Sequence, residues 1–198
     1  MAKPGWPTDK TLKLVNYVLL TIIVLTNSYV LIAPLLPKVD YAVKQNITKP
    51  VKVTSSDSDS ISKIDRSRNH LILPTMQLDE PVYYDTNPST VHKGIWHRPN
   101  TNSPDRGGNT VLVGHRFTYD GAAVFYSLDK LKAGDDAYLV HNQKIYRFVV
   151  TSSAIVPPTA TEVEAPSNEA KLTLYTCTPL VTAKNRLVYT AELKEIYD

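Results

Sequence analysis

The chain has 198 residues, of which 42% are hydrophobic, and its formal net charge is +3 at pH 7. This length suits one domain of ordinary size with an appendage, and the hydrophobic content is sufficient for a packed core. The small excess of positive charge excludes a broad basic face of the kind that binds nucleic acid, because the basic runs are short: DRSR (65–68) and KNR (184–186).

The first predicted element is a membrane-spanning helix. The stretch from Leu14 to Pro37 carries no charge, and its apolar centre is LVNYVLLTIIVLTNSYVLIA (14–33). At about 1.5 Å per residue, about 20 helical residues cross roughly 30 Å of hydrocarbon. A cleavable signal peptide is the alternative, but its apolar region is usually only about 7–15 residues long. We therefore predict a tail over 1–13 and a transmembrane anchor over 14–36.

A flexible tether is predicted over residues 37–68. This segment is polar, rich in Ser, Lys and Asp, and contains the run SSDSDS without an apolar period. One or two turns of helix are expected near Ile61 and Ile64. Lysines lie on both sides of the apolar stretch, so the positive-inside count leaves the orientation of the anchor open.

Residues 69–198 are predicted to form a β domain, either a closed barrel or a sandwich. Turn signals separate its short runs, and six of the seven glycines lie between Gly94 and Gly134, where unusual backbone conformations are therefore expected. Only AAVFYSLDKLK (122–132) is typical of a short helix. Seven runs alternate or are rich in β-branched and aromatic residues, which is typical of strands: HLILP, EPVYY, NTVLVGH, DAYLVHN, KIYRFVVTSS, KLTLYTC and RLVYTAELKEIY.

The single cysteine, Cys177, stands at the end of the predicted strand KLTLYTC, just before a Thr-Pro pair. One cysteine cannot form an internal disulfide, and no CxxC or HExxH spacing supports a thiolate zinc site. Cys177 is therefore either a buried hydrophobic residue or a nucleophile. A nucleophilic cysteine needs a base or a positive charge nearby, because a free thiol with a pKa of about 8.5 is only slightly ionised at pH 7.

Two further residues at predicted strand ends are candidates for activating this thiol. His115 emerges after NTVLVG, where Gly114 allows the backbone to turn. Arg186 begins an alternating run nine residues after Cys177, so a hairpin would place the two residues close across a strand pair. An arginine is always charged and is suited to stabilising a thiolate or an oxyanion.

The other histidines are less favoured. His70 and His141 lie beside turn signals and are expected on the surface. His92 and His97 flank KGIW, and no neighbouring carboxylate pattern supports a metal site there.

The segments around these candidates resemble the sortases, membrane-anchored cysteine transpeptidases of Gram-positive and related bacteria. TLYTC (173–177) matches the family's TLxTC signature, GNTVLVGHR (108–116) matches the stretch around its catalytic histidine, and NRLVY (185–189) has an arginine where the family keeps its catalytic arginine. The resemblance covers residues 69–198 and implies an all-β fold, a closed sortase-type barrel of about eight strands with one or two short helices. Further similar segments are LILPTMQLDEPV, KGIWHRPNTNSPDRGG and LDKLKAGDDAYLV.

The resemblance also implies roles for individual residues. Cys177 would attack a carbonyl in the C-terminal sorting signal of a secreted protein, His115 would act as general acid and base, and Arg186 would bind the oxyanion. Thr176 corresponds to a substrate-binding residue beside the nucleophile. The implied partners are secreted proteins with a sorting signal, an amine acceptor from a cell-wall precursor or a pilin, and the membrane, with no nucleic acid. The implied location is a single-pass membrane protein with its catalytic domain outside the cytoplasm.

No metal or organic cofactor is implied, and calcium is the less favoured alternative. Some class A sortases use calcium through acidic loop residues, and Glu162, Glu164 and Glu169 lie in the corresponding region. His97 matches a second histidine common in the family that does not transfer the proton, and it is the reserve candidate if His115 is mispositioned.

The subclass and two alternative functions remain open on the sequence. Residues 38–68 lack the Asp-Pro-aromatic lid of class C, and no second span follows the barrel in this sequence, so the chain looks nearer to classes D, E or F. The first alternative is a membrane-tethered thiol hydrolase that uses the same residues. The second is a non-catalytic surface β module, in which Cys177 would be buried and unreactive.

Overall fold

The computed structural model describes residues 8–33, 39, 58–119, 121–180 and 182–198. The chain divides into two compact units, Met1–Val39 and Asp40–Asp198. The greater part of the predicted tether lies outside the described residues.

The first unit contains helix α1 (Asp9–Ile32), which is long and apolar enough to cross a membrane. Three of its polar side chains bond within the helix: the hydroxyls of Thr21 and Thr26 and the amide of Asn27 donate to carbonyls one turn earlier, at 2.8, 2.9 and 2.7 Å. Such bonds satisfy polar groups that would be costly to leave unpaired in hydrocarbon. The helix begins five residues before the uncharged stretch, and Lys13 pairs with Asp9 at 3.0 Å on its first turns.

The second unit is a closed eight-stranded barrel, which confirms the predicted fold class. Around the barrel the strands follow the order β1-β2-β3-β4-β7-β8-β6-β5. The pairs β2–β3 and β4–β7 are parallel, and the other neighbours are antiparallel. The strands are β1 (His70–Leu73), β2 (Leu78–Tyr84), β3 (Ile95–His97), β4 (Asn109–Val113), β5 (Asp136–His141), β6 (Lys144–Val156), β7 (Lys171–Thr178) and β8 (Asn185–Tyr197).

The interior of the barrel is filled by aliphatic and aromatic side chains from the strands and from the β4–β5 connection. In β7, Leu172 and Leu174 are buried in this core. Because successive strand residues face opposite sides, Tyr175 and Cys177 belong to the outer face of the sheet. The nucleophile candidate therefore lies on the surface of the barrel and not among the core residues.

The segment before β1 packs on the outside of the barrel. Helix α2 (Ser58–Ser62) lies where the sequence predicts helical turns, and Ile61 and Ile64 are buried at 5% and 9% exposure. They form a second apolar cluster with Ile72, Tyr138, Val140 and Ile145. Packed structure thus begins earlier than residue 69, because these two isoleucines cover apolar side chains that alternate outward from β1, β5 and β6.

The predicted helix over residues 122–132 is wrong as an α-helix. The segment forms turns, followed by a single 3-10 turn at Leu128–Lys130. Phe125 is fully buried and its N–H donates to the carbonyl of His115 at 3.0 Å. This contact with the start of the same β4–β5 connection, together with the burial of Phe125, outweighs the local preference for helix.

The prediction that His70 and His141 lie on the surface is also wrong, since their exposures are 0% and 7%. The ring of His70 lies 2.5 Å from a carboxylate oxygen of Asp79 and 2.7 Å from the carbonyl of Asp65. A carboxylate oxygen of Asp105 lies 3.3 Å from Nε2 of His141. Both nitrogens of His70 thus have partners that offset its burial, whereas the buried Nδ1 of His141 has no hydrogen-bond partner in the described part of the chain.

Candidate active site

Three neighbouring strands, β4, β7 and β8, align the candidate residues at one end of the barrel. In the parallel pair β4–β7, Val113 is the partner of Tyr175. His115 and Cys177 each follow two residues later, at corresponding positions. In the antiparallel pair β7–β8, Cys177 is directly opposite Arg186. Cys177 and Arg186 are therefore opposed across the sheet, and His115 follows the end of β4 on the strand that pairs with β7.

Cys177 is partly exposed and stands one residue before the end of β7. Directly opposed residues of an antiparallel pair have Cβ atoms about 4.5–5.5 Å apart. The thiol of Cys177 and the start of the Arg186 side chain are thus close neighbours on the outer face.

The position of His115 depends on close packing at the residue before it. The N–H of Gly114 donates to the carbonyl of Tyr175 at 3.5 Å. A Cβ atom at Gly114 would lie 2.6 Å from Val124 and 2.9 Å from Phe125, so any larger residue would force these side chains away. The His115 ring itself lies against the ring of His92, with centroids 4.8 Å apart.

Arg116 is a site residue that the sequence analysis did not select. Its side chain is only 10% exposed, and its Nη1 donates to the hydroxyl of Thr178 at 2.9 Å. Its Nη2 pairs with Asp129 at 3.1 Å, and its Nε donates to the carbonyl of Tyr126 at 3.4 Å. Arg116 therefore connects the backbone beside His115 to the strand end that carries Cys177. Arg116 belongs to the GHR motif, but the sequence does not show whether its side chain is buried or exposed.

Arg186 is held by the β7–β8 hairpin. Its Nη1 donates to the carbonyls of Ala183 and Asn185, at 3.2 and 3.1 Å. On the far side of its strand, Arg186 is the partner of Val156 at the end of β6. These contacts restrict the guanidinium to the end of the barrel that also carries Cys177.

Thr176 has a defined structural contact. Its side chain is 1% exposed and its hydroxyl donates to the carbonyl of Gly114 at 2.7 Å. The hydroxyl thus joins the ends of β4 and β7 just before His115 and Cys177. In this structure it is not open to a ligand, so the contact supports positioning of the site.

His97 lies outside this constellation. It is the partner of Leu112 in β4, and Leu112 in turn pairs with Leu174, three residues before Cys177. The ring of His97 stacks on Tyr84 with centroids 4.6 Å apart. Burial lowers the pKa of His97, although a bond to the carbonyl of Asn102 opposes the shift. The reserve role for His97 has no support from this geometry.

Among the acidic loop residues considered for calcium, Glu164 has its carboxylate engaged by protein partners. Arg98 donates to both of its oxygens, at 2.8 and 3.1 Å. Within the described residues, no group of three His, Cys, Asp or Glu side chains is arranged to hold a metal ion. Glu162 and Glu169 are exposed.

The chain is similar in sequence to proteins of one known family. The family model for the sortase domain matches residues 71–194. Sortase A of Bacillus anthracis is 28% identical over 121 residues, which are 61% of this chain and 57% of that relative. Sortase D of Bacillus subtilis (strain 168) is 28% identical over 110 residues, 55% of this chain and 53% of the relative. The chain thus spans about half the length of these curated relatives.

Solved structures have the same architecture. A lid mutant of sortase A from Corynebacterium diphtheriae has a TM-score of 0.60 and 25% identity, over 72% of this chain and 77% of that one. Sortase A of Listeria monocytogenes has a TM-score of 0.57 and 24% identity over 67% of this chain and 90% of that one, a similarity of fold. Since the family model covers more than half of the sequence and the barrel has the same fold, the chain belongs to the sortase family.

Proposed function

We propose that this sortase is a cysteine transpeptidase that cleaves the C-terminal sorting signal of secreted proteins and transfers the acyl group to an amine. The observation that supports the proposal is the register of β4, β7 and β8, which puts Arg186 opposite Cys177 and pairs Val113, two residues before His115, with Tyr175, two residues before Cys177. A thiol, an imidazole and a guanidinium are the groups that acyl transfer through a thioester requires.

In the first half-reaction, the thiolate of Cys177 attacks the scissile carbonyl of the sorting signal. A C–S bond forms and the carbonyl oxygen becomes an oxyanion. When the C–N bond breaks, the leaving amine takes a proton from the imidazolium of His115. The products are a thioester on Cys177, a neutral His115 and the released C-terminal peptide.

In the second half-reaction, an incoming amine attacks the thioester and gives its proton to His115. The C–S bond breaks, the thiolate of Cys177 is restored, and a new amide joins the two partners. The acceptor is an amino group of a cell-wall precursor or of a pilin lysine. Cys177 is then again a thiolate and His115 again an imidazolium. The cycle therefore uses no oxidant, metal or organic cofactor.

Arg186 is proposed to bind the oxyanion, and Thr176 to position the site. The guanidinium is always charged and presents several N–H donors. Such donors accelerate the reaction when their bonds are stronger in the transition state than in the ground state. Thr176 would act by joining the ends of β4 and β7, since its hydroxyl donates to Gly114.

The protein is proposed to be anchored by α1 as a single-pass membrane protein, with the barrel outside the cytoplasm. The length and apolar composition of α1 support the anchor, and the secreted nature of sortase substrates motivates the orientation. Protease added to intact protoplasts should digest the barrel, whereas complete protection would refute this orientation. The sortase D relative gives weak support to a subclass other than class C.

Mass spectrometry provides the direct test of the function. The full chain in detergent is incubated with a library of sorting peptides, with and without a primary amine. We expect an acyl adduct on Cys177 without amine, and a ligated peptide when amine is present. Hydrolysed peptide as the dominant product with amine present would favour the thiol hydrolase. A failure of every peptide to form an adduct would refute the proposal.

A further inference from the structure

The β6–β7 connection carries a carboxylate that two other segments hold. Glu164 ends the 3-10 turn Thr161–Glu164. Arg98 donates to it through Nε at 2.8 Å and Nη2 at 3.1 Å, the two-pronged geometry of a strong pair. The hydroxyl of Tyr175 donates to the same carboxylate at 2.5 Å. We name these three residues, Arg98, Glu164 and Tyr175, the latch.

Contacts other than the pair with Glu164 also hold Arg98 in place. It follows β3, and its N–H donates to the carbonyl of Val111 in β4 at 2.9 Å. Its guanidinium carbon lies 4.8 Å from the centre of the Trp96 ring, a cation–π contact. The side chains of Arg98 and Glu164 are 31% and 25% exposed, so water only partly screens the pair.

A second contact holds the backbone on both sides of Glu164. The amide of Asn109 donates to the carbonyls of Val163 and Ala165, at 3.1 and 3.0 Å. Asn109 is 1% exposed and accepts a bond from the hydroxyl of Thr173 in β7 at 2.7 Å. The loop is therefore attached to the sheet through both its side chain and its main chain.

The latch lies next to the nucleophile. Tyr175 precedes Cys177 by two residues on the same strand, so the two side chains share the outer face and are about 6–7 Å apart along it. Burial and the bond to Glu164 both raise the pKa of Tyr175, so its hydroxyl stays protonated and can donate at neutral pH. The loop held by Glu164 thus forms a wall beside the surface on which an acyl donor must lie.

We propose that the latch holds residues 157–165 in the conformation that receives the sorting signal, and that Glu164 is a positioning residue for substrate binding. The guanidinium of Arg98 supplies the positive charge that the loop carboxylate requires, so the loop is closed without a metal ion. A loop already ordered before binding avoids the entropic cost of ordering on binding. This inference rests on the proposed transpeptidase function, because the latch acts on the substrate of that reaction.

The first test separates binding from chemistry in the full chain in detergent. Glu164→Ala should raise KM for a sorting peptide by roughly 10- to 100-fold, the range for losing charge-assisted hydrogen bonds, with kcat little changed. Glu162→Ala is the matched control, since Glu162 is exposed on the same turn. Tyr175→Phe should give a smaller rise in KM. An unchanged KM in Glu164→Ala, or an equal change in Glu162→Ala, would overturn the inference.

The second test needs no substrate. Amide hydrogen exchange over residues 157–165 should be faster in Glu164→Ala than in wild type, and unchanged in Glu162→Ala. Equal exchange in all three proteins would overturn the latch even if the enzyme is active. If wild type acylates no peptide at all, the proposed function fails, while the exchange data still decide whether the latch orders the loop.

The third test concerns the metal. Added calcium or EDTA should leave the KM of wild type and the exchange of its loop unchanged. Slower exchange together with a lower KM in calcium would overturn the claim that Arg98 closes the loop without a metal ion.

Discussion

Cys177 and Arg186 are directly opposed residues of the antiparallel pair β7–β8. The guanidinium of Arg186 is held by two carbonyls of the hairpin, and Cys177 is partly exposed beside it. An oxyanion that forms on a carbonyl attacked by this thiol would therefore develop within reach of a fixed positive charge. The pairing makes Arg186 the residue whose removal is most informative.

Arg186→Ala should reduce kcat far more than it weakens peptide binding. Removing one oxyanion donor typically costs about 10²–10³ in rate, roughly 2.7–4 kcal/mol. Arg186→Lys should recover only part of this loss, because an ammonium group cannot reproduce the planar donor geometry. Steady-state kinetics with a single sorting peptide provides the measurement.

Lys184 is the matched control for this charge. It carries the same charge two residues earlier and precedes the first residue of β8. Lys184→Ala should be nearly silent. If the two alanine variants lost activity equally, the charge would act only through a diffuse field, and Arg186 would not bind the oxyanion.

Cys177→Ala should abolish both adduct formation and transpeptidation while the barrel stays folded. The side chain is partly exposed on the outer face, so its loss leaves no core cavity. Circular dichroism and a melting curve of the variant should match those of wild type. Because the sequence contains no second cysteine, retained turnover would refute the role of this thiol.

The sequence was sufficient for the β7–β8 relationship because it is local. Both strands have clear alternation and are joined by a short hairpin, so opposition of Cys177 and Arg186 followed from spacing. The alignment of His115 is different. It depends on a parallel pair between β4 and β7, which are separated by two other strands in the sequence, and periodicity does not specify such pairing. For His115, spacing alone does not indicate a position near Cys177, and only the family resemblance does.

Features set by tertiary contacts could not be predicted from local patterns. Strand β3 (Ile95–His97) has only three residues, too few for alternation to be recognised, and it exists through its pairing with β2 and β4. The segment 122–132 has helical spacing, yet Phe125 is fixed by the carbonyl of His115. The inward orientation of Arg116 depends on its contacts with Thr178 and Asp129, which no local sequence pattern specifies.

Arg116→Ala should lower activity by misplacing His115 relative to Cys177, and it should also destabilise the barrel. The change removes a largely buried guanidinium that bonds to Thr178 and pairs with Asp129. Loss of charge-assisted bonds of this kind costs about 1.5–3 kcal/mol. Arg106→Ala is the control, because Arg106 is exposed on the β3–β4 connection. Equal stability and activity of the two variants would contradict the positioning role of Arg116.

The stability of the barrel should fall as the pH is lowered from about 7.5 to about 5.5. Burial lowers the pKa of both His97 and His141, although Asp105 partly opposes the shift at His141. In the unfolded chain a histidine has a pKa of about 6.5, so below that pH the unfolded state binds protons more readily than the folded state. The two histidines therefore contribute fully to the free energy of unfolding above about pH 6.5. This contribution is lost progressively as the pH falls towards their lower pKa values in the folded state. Melting temperatures of the full chain across this range measure the slope, and the double variant His97→Gln, His141→Gln should flatten it. A double variant that kept the wild-type slope would show that other groups control this pH dependence.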